Sequence, residues 1–252
     1  MDAVVIGSAV SVVLLLAALC GMGLSGRLPP HHVSTESRDA IRVATAIVGT
    51  LSALALGFLI GSGKLAFDNA DDELKQSVAR VVLLDRVLAN YGPETGQARR
   101  ALAELVEQRL QYWGVQGSDA TEDRRFSGAG IEPVQRELRA LSPQTDAQRL
   151  LQTRAIEVSG EIAEDHWLLV ETDAEGLPWA FLVILVFWLG LLFFSFGLVG
   201  PNNATVLAIV CVCAVATASA VFLVIDLAQP YIGLIQVSEA PLRVALEHLG
   251  KN

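Results

Sequence analysis

Four long apolar runs, separated by polar stretches, dominate the hydropathy pattern of this chain. They cover residues 3–24, 41–60, 179–199 and 205–225, and each is almost free of charged side chains. A helix needs about 20 apolar residues to cross the hydrocarbon core of a bilayer. The pattern therefore predicts four transmembrane helices, with both chain termini on the same side of the membrane.

Residues 67–177, between the second and third runs, have a different pattern. Their apolar residues recur at spacings of three and four, which is the period of a helix that buries one face. Three such stripes follow one another: Leu74, Val78, Val81, Leu84 and Leu88, then Leu102, Leu105, Val106, Leu110 and Trp113, then Leu151, Ala155, Val158, Ile162 and Leu169. This stretch is therefore predicted to be a helical aqueous insert.

These elements predict an all-α membrane protein, with four transmembrane helices and a helical aqueous insert between the second and the third. We divide the chain into a first transmembrane hairpin (1–66), the acidic insert (67–177), a second transmembrane hairpin (178–228) and a membrane-proximal C-terminal segment (229–252). The second transmembrane helix is expected to continue without a break into the insert.

The composition supports a membrane protein and locates its charge. Hydrophobic residues make up 52% of the chain and charged residues 18%, below the roughly one quarter usual in soluble domains. The insert has 21 acidic and 12 basic residues, which accounts for the whole net charge of −9. An acidic insert excludes a nucleic-acid partner, which requires a basic surface, and leaves a protein partner as one hypothesis.

The second run contains small residues at every fourth position. Such residues let another helix approach closely, and the spacing predicts that one face of this helix is small along its length. Two interpretations stay open: packing within one chain, or a face that lines the axis of a symmetric oligomer with a narrow pore. The residues are Thr45, Gly49, Ala53, Gly57 and Gly61.

Ionisable residues lie at the ends of the runs and not at their centres. A proton relay or an ion-coupled transporter would need such groups near the middle of the membrane. The second and fourth helices run in the same direction, so Lys64 and Asp226 are expected at the same interface. They are predicted either to form an interfacial ion pair or to place charge at the mouth of a pore.

Two adjacent histidines, His31 and His32, precede the second run in a loop that begins with two prolines. The loop offers only Glu36 and Asp39 as further ligands and has no cysteine, so we predict no metal site. Histidine titrates near pH 6.5, and the pair is therefore a candidate pH sensor. The alternative is that it marks the turn into the second helix, for which Ser34 is the predicted N-cap.

No catalytic motif is found in the sequence. It lacks a nucleophile elbow, a complete phosphate-binding loop, an H-E-x-x-H motif and a dinucleotide-binding glycine pattern. All three cysteines fall inside apolar runs and are interpreted as small fillers. We therefore expect neither an enzyme nor a cofactor.

Four sequence blocks resemble those of a known family. The blocks "LPPHHVSTESRDAIRVATAIVGTLSALALGFLIGSGK", "VVLLDRVLANYGPET", "FGLVGPNNATV" and "GLIQVSEAPLRVAL" are similar in content and order to the bacterial bestrophin-like family, multi-pass membrane proteins of unknown function. The resemblance covers nearly the whole chain. It implies that certain polar residues belong to the family pattern, namely His31, His32, Glu36, Arg38, Asp39, Lys64, Asp68, Asp85 and Arg86.

The resemblance also implies a location and an assembly. It implies a protein of the bacterial inner membrane, distantly related to bestrophins, which are pentameric anion channels with pores lined by their second helices. The insert would then be cytoplasmic, although the positive charges near the membrane favour neither orientation. The resulting hypothesis is an oligomeric anion-channel-like pore. The alternative is a membrane-anchored scaffold or sensor whose acidic insert binds a partner protein.

Overall fold

The computed structural model describes residues 3–27, 29, 34–111, 130–172, 179–201, 203–231 and 233–249, with the side chains of 166–172 outside the description. Over these residues the chain is helical, without strands, which confirms the predicted all-α class. The helices are α1 (Ala3–Ser25), α2 (Thr35–Tyr91), α3 (Gly96–Gln111), α4 (Glu132–Ala140), α5 (Asp146–Thr172), α6 (Trp179–Val199), α7 (Ala204–Leu227) and α8 (Ala240–His248).

Four of the described helices, α1, α2, α6 and α7, are long and apolar enough to cross a membrane. The four predicted transmembrane helices are thus confirmed in number and position. The backbone N–H of Ser37 donates to Ser34 Oγ over 3.3 Å, so Ser34 caps the start of α2 as expected. Asn203 caps α7 in the same way, with its Oδ1 2.8 Å from the N–H of Val206.

The longest helix, α2, has 57 residues and is therefore about 86 Å long. It includes the second apolar run and the first stripe of the insert, so the predicted continuation is confirmed. It ends at Tyr91, and Gly92 follows with a φ of 137°, which is in the region that favours glycine. The hydroxyl of Thr95 then donates to the carbonyl of Leu88 over 2.8 Å, which satisfies a carbonyl at the helix end.

The described chain divides into two compact units, one comprising residues 1–67 and 176–229 and the other residues 68–175 and 230–252. The first unit contains α1, the apolar part of α2, α6 and α7. Its core is made of apolar side chains from all four helices, among them Leu14, Leu59, Leu185, Ala214 and Val221. Burial of these side chains gives each transmembrane helix one protein-facing side.

Helices α1 and α6 cross in close backbone contact at two glycines. A Cβ built at Gly21 would collide with the carbonyl oxygen of Phe194 and lie 2.9 Å from the N–H nitrogen of Leu198. A Cβ built at Gly197 would collide with the carbonyl oxygen of Ala18 in the same way. Since either Cβ would meet backbone atoms of the facing helix, this crossing requires glycine on both sides.

The second unit is built on the three apolar stripes of the insert. Leu84 and Leu88 of α2, Leu102 and Val106 of α3, and Ala155, Val158 and Ile162 of α5 are all buried. Leu169 and Trp113 of the predicted stripes lie outside the described side chains. The C-terminal helix α8 packs on α3, with Leu242 and Ala245 buried. The C-terminal segment therefore belongs to the same compact unit as the insert.

One buried ion pair lies within this apolar core. Asp85 of α2 accepts two hydrogen bonds from Arg99 of α3, from Nε to Oδ1 over 2.7 Å and from Nη2 to Oδ2 over 3.0 Å. The Asp85 side chain is only 4% exposed and that of Arg99 15%. Such a bidentate pair fixes the orientation of the two helices as well as satisfying both charges.

Candidate functional site

The small residues spaced at four along α2 do not keep to one face of the helix. Thr45 and Gly49 are half-buried, whereas Ala53, Gly57 and Gly61 are exposed. Whether this row serves helix packing or lines a pore stays a prediction. Its exposure changes along the helix because the helical period is 3.6 residues, and each step of four turns the side-chain direction by a further 40° or so. The first residues face the protein and the last face outward.

The exposed part of this row, Ala53, Gly57 and Gly61, is here called the open row. A Cβ built at Gly57 or at Gly61 meets no described atom of another element within 4 Å. At Gly49, by contrast, the Cβ would lie 3.3 Å from Cδ1 of Leu192 on α6. Packing between described helices of this chain thus accounts for Gly49 but not for the open row.

The rest of the membrane part of α2 presents two other faces. Ser52, Leu59 and Gly63 are buried within the first unit. Leu54 and Phe58 lie on the outer side, 73% and 70% exposed, and are the most exposed large apolar residues of α2. The helix therefore has a side packed on its own chain, an outward bulky side and the open row between them.

Charged residues lie on α2 before and after the open row, at Arg42, 11 residues before Ala53, and at Lys64, three residues after Gly61. Asp39 and Arg42 form an exposed ion pair of 3.1 Å at the start of α2. At the other end the ammonium of Lys64 lies 5.6 Å from the centre of the Phe67 ring, a cation–π distance. The open row itself lies between these charged residues of α2.

The predicted pairing of Lys64 with Asp226 stays a prediction. Asp226 is buried near the end of α7. Gly63, next to Lys64, lies close to α7. A Cβ built at Gly63 would lie 3.3 Å from the Leu227 Cβ and 3.3 Å from the Val224 carbonyl oxygen. Helices α2 and α7 therefore approach each other in the segments that contain the two residues.

The family-pattern residues do not gather into one site. Glu36, Arg38 and Asp39 lie in the first turns of α2, and Asp68, Asp85 and Arg86 lie further along it. Asp68 and Asp85 are 17 residues apart on this helix, which is about 26 Å. The candidate pH sensors His31 and His32 lie outside the described residues. Among the described residues, no group of His, Cys, Asp and Glu is arranged to hold a metal ion.

A cluster of arginines and carboxylates in the insert was not found by sequence analysis. Arg80 of α2 pairs with two carboxylates of α5: its Nε is 3.2 Å from Glu161 Oε2, and its Nη1 contacts Asp165 Oδ2. The hydrogen bond to Asp165 raises the pKa of Arg80. These partners are more than 80 positions apart in the chain, so no local pattern could have joined them.

A second arginine, Arg109 of α3, approaches the same cluster. Its Nη1 donates over a long 3.5 Å to Ser77 Oγ on α2. Burial lowers the pKa of Arg109, while the nearby carboxylate of Asp165 acts in the opposite direction. Two turns earlier in α2, the Tyr231 hydroxyl donates to the Ala70 carbonyl over 3.2 Å. Three chain segments are thus attached by polar contacts to residues 70–80 of α2.

Comparison with known proteins gives a consistent result. A family model described as Bestrophin-like domain matches residues 12–242. A structure of a variant of the bacterial bestrophin homolog from Klebsiella pneumoniae aligns with a TM-score of 0.67 at 15% identity, covering 99% of this chain and 97% of that one. A second variant of the same homolog gives 0.63 at 15% identity, covering 95% and 97%.

A further similar structure is described only as a membrane protein. It aligns with a TM-score of 0.61 at 17% identity, covering 96% of this chain and 97% of that one. A comparison with curated proteins finds no match. Because the aligned sequences are only 15–17% identical, this structural similarity establishes the fold of the chain alone.

Proposed function

Since this chain belongs to the Bestrophin-like domain family, we propose that several copies assemble into an anion-channel-like pore with α2 at its axis. The observation that carries the proposal is the open row of α2. A row of small residues that no described element of the chain covers is suited either to a close neighbour or to a narrow water-filled path. A closed ring of identical subunits supplies such a path at its axis.

The pore requires more than one subunit. In the described chain the open row lies on the outside of a single bundle, with Leu54 and Phe58 beside it. A bilayer would bring lipid to this side of a monomer and leave no aqueous path. The pore is therefore proposed to be a homo-oligomer, with five subunits as the family resemblance implies.

The proposed setting is the inner membrane of a bacterial cell, with the acidic insert in the cytoplasm. Four helices of membrane-spanning length support the membrane location, and the orientation follows from the resemblance to bestrophins. The absence of an enzymatic activity likewise remains a prediction. Chloride is the first ion to test, with potassium as the comparison, because charged residues of both signs lie on α2 before and after the open row.

We expect Gly57→Leu to reduce ion flux at least tenfold in liposomes that contain the purified protein. A Cβ at this position meets no described atom of another element within 4 Å, so the fold is expected to be retained while the added side chain fills the axis. The measurement is chloride and potassium flux per oligomer, after size-exclusion chromatography has shown equal assembly.

The matched control is Gly190→Leu. Gly190 lies on α6, and a Cβ there also meets no described atom of another element within 4 Å. It borders an apolar cavity of about 440 Å³ with Val13, Phe187 and Phe194, and it is not part of the open row. Its flux should equal that of the unmodified protein. Equal flux in both variants would place the path elsewhere, and no flux from a folded oligomer would favour the scaffold alternative.

A further inference from the structure

The aqueous part of α2 is fastened to a helix that leads into another transmembrane segment. Arg80 of α2 contacts Glu161 and Asp165, which are four residues apart on α5 and so lie one turn apart on one face. We call these three residues the Arg80 clamp. Helix α5 ends at Thr172, and the third transmembrane helix, α6, begins at Trp179. The clamp therefore lies about 10 Å, measured along α5, from the end of that helix.

The clamp is separate from the apolar core of its unit. The side chains of Arg80, Glu161 and Asp165 are 31%, 38% and 21% exposed, whereas Val158 and Ile162 beside them on α5 are fully buried. The hydrophobic stripes account for the packing of the unit. A partly solvated ion pair adds little to stability, so its removal is expected to leave the fold intact.

The same α2 segment carries the other polar attachments. Ser77 receives the long hydrogen bond from Arg109, and Ala70 accepts from Tyr231, which follows the fourth transmembrane helix. Asp165 lies in contact with Arg80 and close enough to Arg109 to act on its charge. Asp165 thus pairs with Arg80 of α2 and also acts electrostatically on Arg109 of α3.

We propose that the Arg80 clamp is a regulatory contact through which the aqueous insert controls the position of α2 in the pore. This inference rests on the proposed function and adds a contact that regulates the pore. Helix α2 is unbroken from the open row to Arg80, which lies 19 residues after Gly61 in the chain. An unbroken helix transmits a rotation or shift at Arg80 to the open row. An ion pair can break and re-form with another partner, which gives two distinct states. Apolar packing has no such switch between partners.

The test uses Arg80→Gln in the full chain, with two measurements. Hydrogen exchange at the backbone of residues 161–172 should be faster than in the unmodified protein, because Arg80 no longer holds α5. Ion flux per oligomer in liposomes should change at least threefold. The paired variant Glu161→Gln/Asp165→Asn should change flux in the same direction, since it removes the same contact from the other side. Arg80→Lys, which keeps the charge, should recover part of the difference.

The matched control is Arg149→Gln. Arg149 pairs with Asp146 on the same helix, and both side chains are highly exposed, so this variant removes an ion pair on α5 without releasing α2. Its flux should be unchanged. Faster exchange in Arg80→Gln with unaltered flux would overturn the inference, as would unaltered exchange. If the unmodified protein conducts no ion, the proposed function fails. In that case only the hydrogen-exchange measurement tests the clamp. Faster exchange in Arg80→Gln then supports a contact between α2 and α5.

Discussion

Replacing Arg99 with methionine is expected to destabilise the protein by about 3–5 kcal/mol, the cost of leaving one partner of a buried ion pair without the other. The Asp85 carboxyl group is only 4% exposed and would lose both guanidinium hydrogen bonds. Methionine fills nearly the same volume, so the loss comes from the charge and not from a cavity. The measurement is the midpoint of thermal unfolding in detergent, followed by helical circular dichroism.

Two controls define the cause of this loss. The double variant Asp85→Leu/Arg99→Met removes both charges and should recover most of the stability, because two well-packed apolar side chains can replace a buried ion pair. Arg149→Met breaks an exposed pair with Asp146 and should shift the midpoint too little to resolve. An Arg99→Met protein as stable as the unmodified one would show that this pair is not buried in solution.

Gly21→Ala is expected to have the second large effect, the loss of close packing between α1 and α6. The added methyl would meet the carbonyl oxygen of Phe194 and the N–H nitrogen of Leu198. Backbone atoms cannot move aside as a flexible side chain can. Overpacking of this kind typically costs about 1–3 kcal/mol, and contact with backbone places this site at the upper end of that range. Thermal unfolding in detergent and recovery of folded protein after solubilisation measure it.

Gly23→Ala is the natural comparison, since it lies on the same helix and its Cβ meets no described atom of another element within 4 Å. It should be as stable as the unmodified protein, or slightly more so, because alanine favours a helix more than glycine does. Gly197→Ala, on the facing helix, should reproduce the defect of Gly21→Ala. Equal stability of the Gly21 and Gly23 variants would contradict the close crossing.

The helices could be predicted because a helix that buries one face repeats its apolar residues at a regular spacing in the sequence. Uninterrupted apolar runs specify the four transmembrane helices, and spacings of three and four specify the helices of the insert, such as the stripe through Leu84 and Leu88 in α2. The buried Asp85–Arg99 pair could be predicted in part from the sequence, because a carboxylate beside two buried leucines requires a partner. Its identity as Arg99 depends on the turn at Gly92, which sequence periodicity does not describe.

Other features depend on contacts between distant parts of the chain. Small residues at Gly21 and Gly197 indicate that some close approach is allowed, but they do not say which helix approaches. Arg80 and Asp165 are 85 positions apart, so no local pattern in the sequence indicates that they pair. The change in exposure along the row from Thr45 to Gly61 arises because a spacing of four is close to the helical period without equalling it.

The unbroken course of α2 limits how this protein can be modified by recombination. The boundary between the two compact units falls after Phe67, in the middle of a helix and not in a loop. One extra residue at that boundary would rotate everything beyond it by about 100° and advance it by about 1.5 Å relative to the preceding part. An insert grafted from a relative must therefore match the helical phase as well as the sequence. Length changes there should be tolerated best in steps close to whole turns.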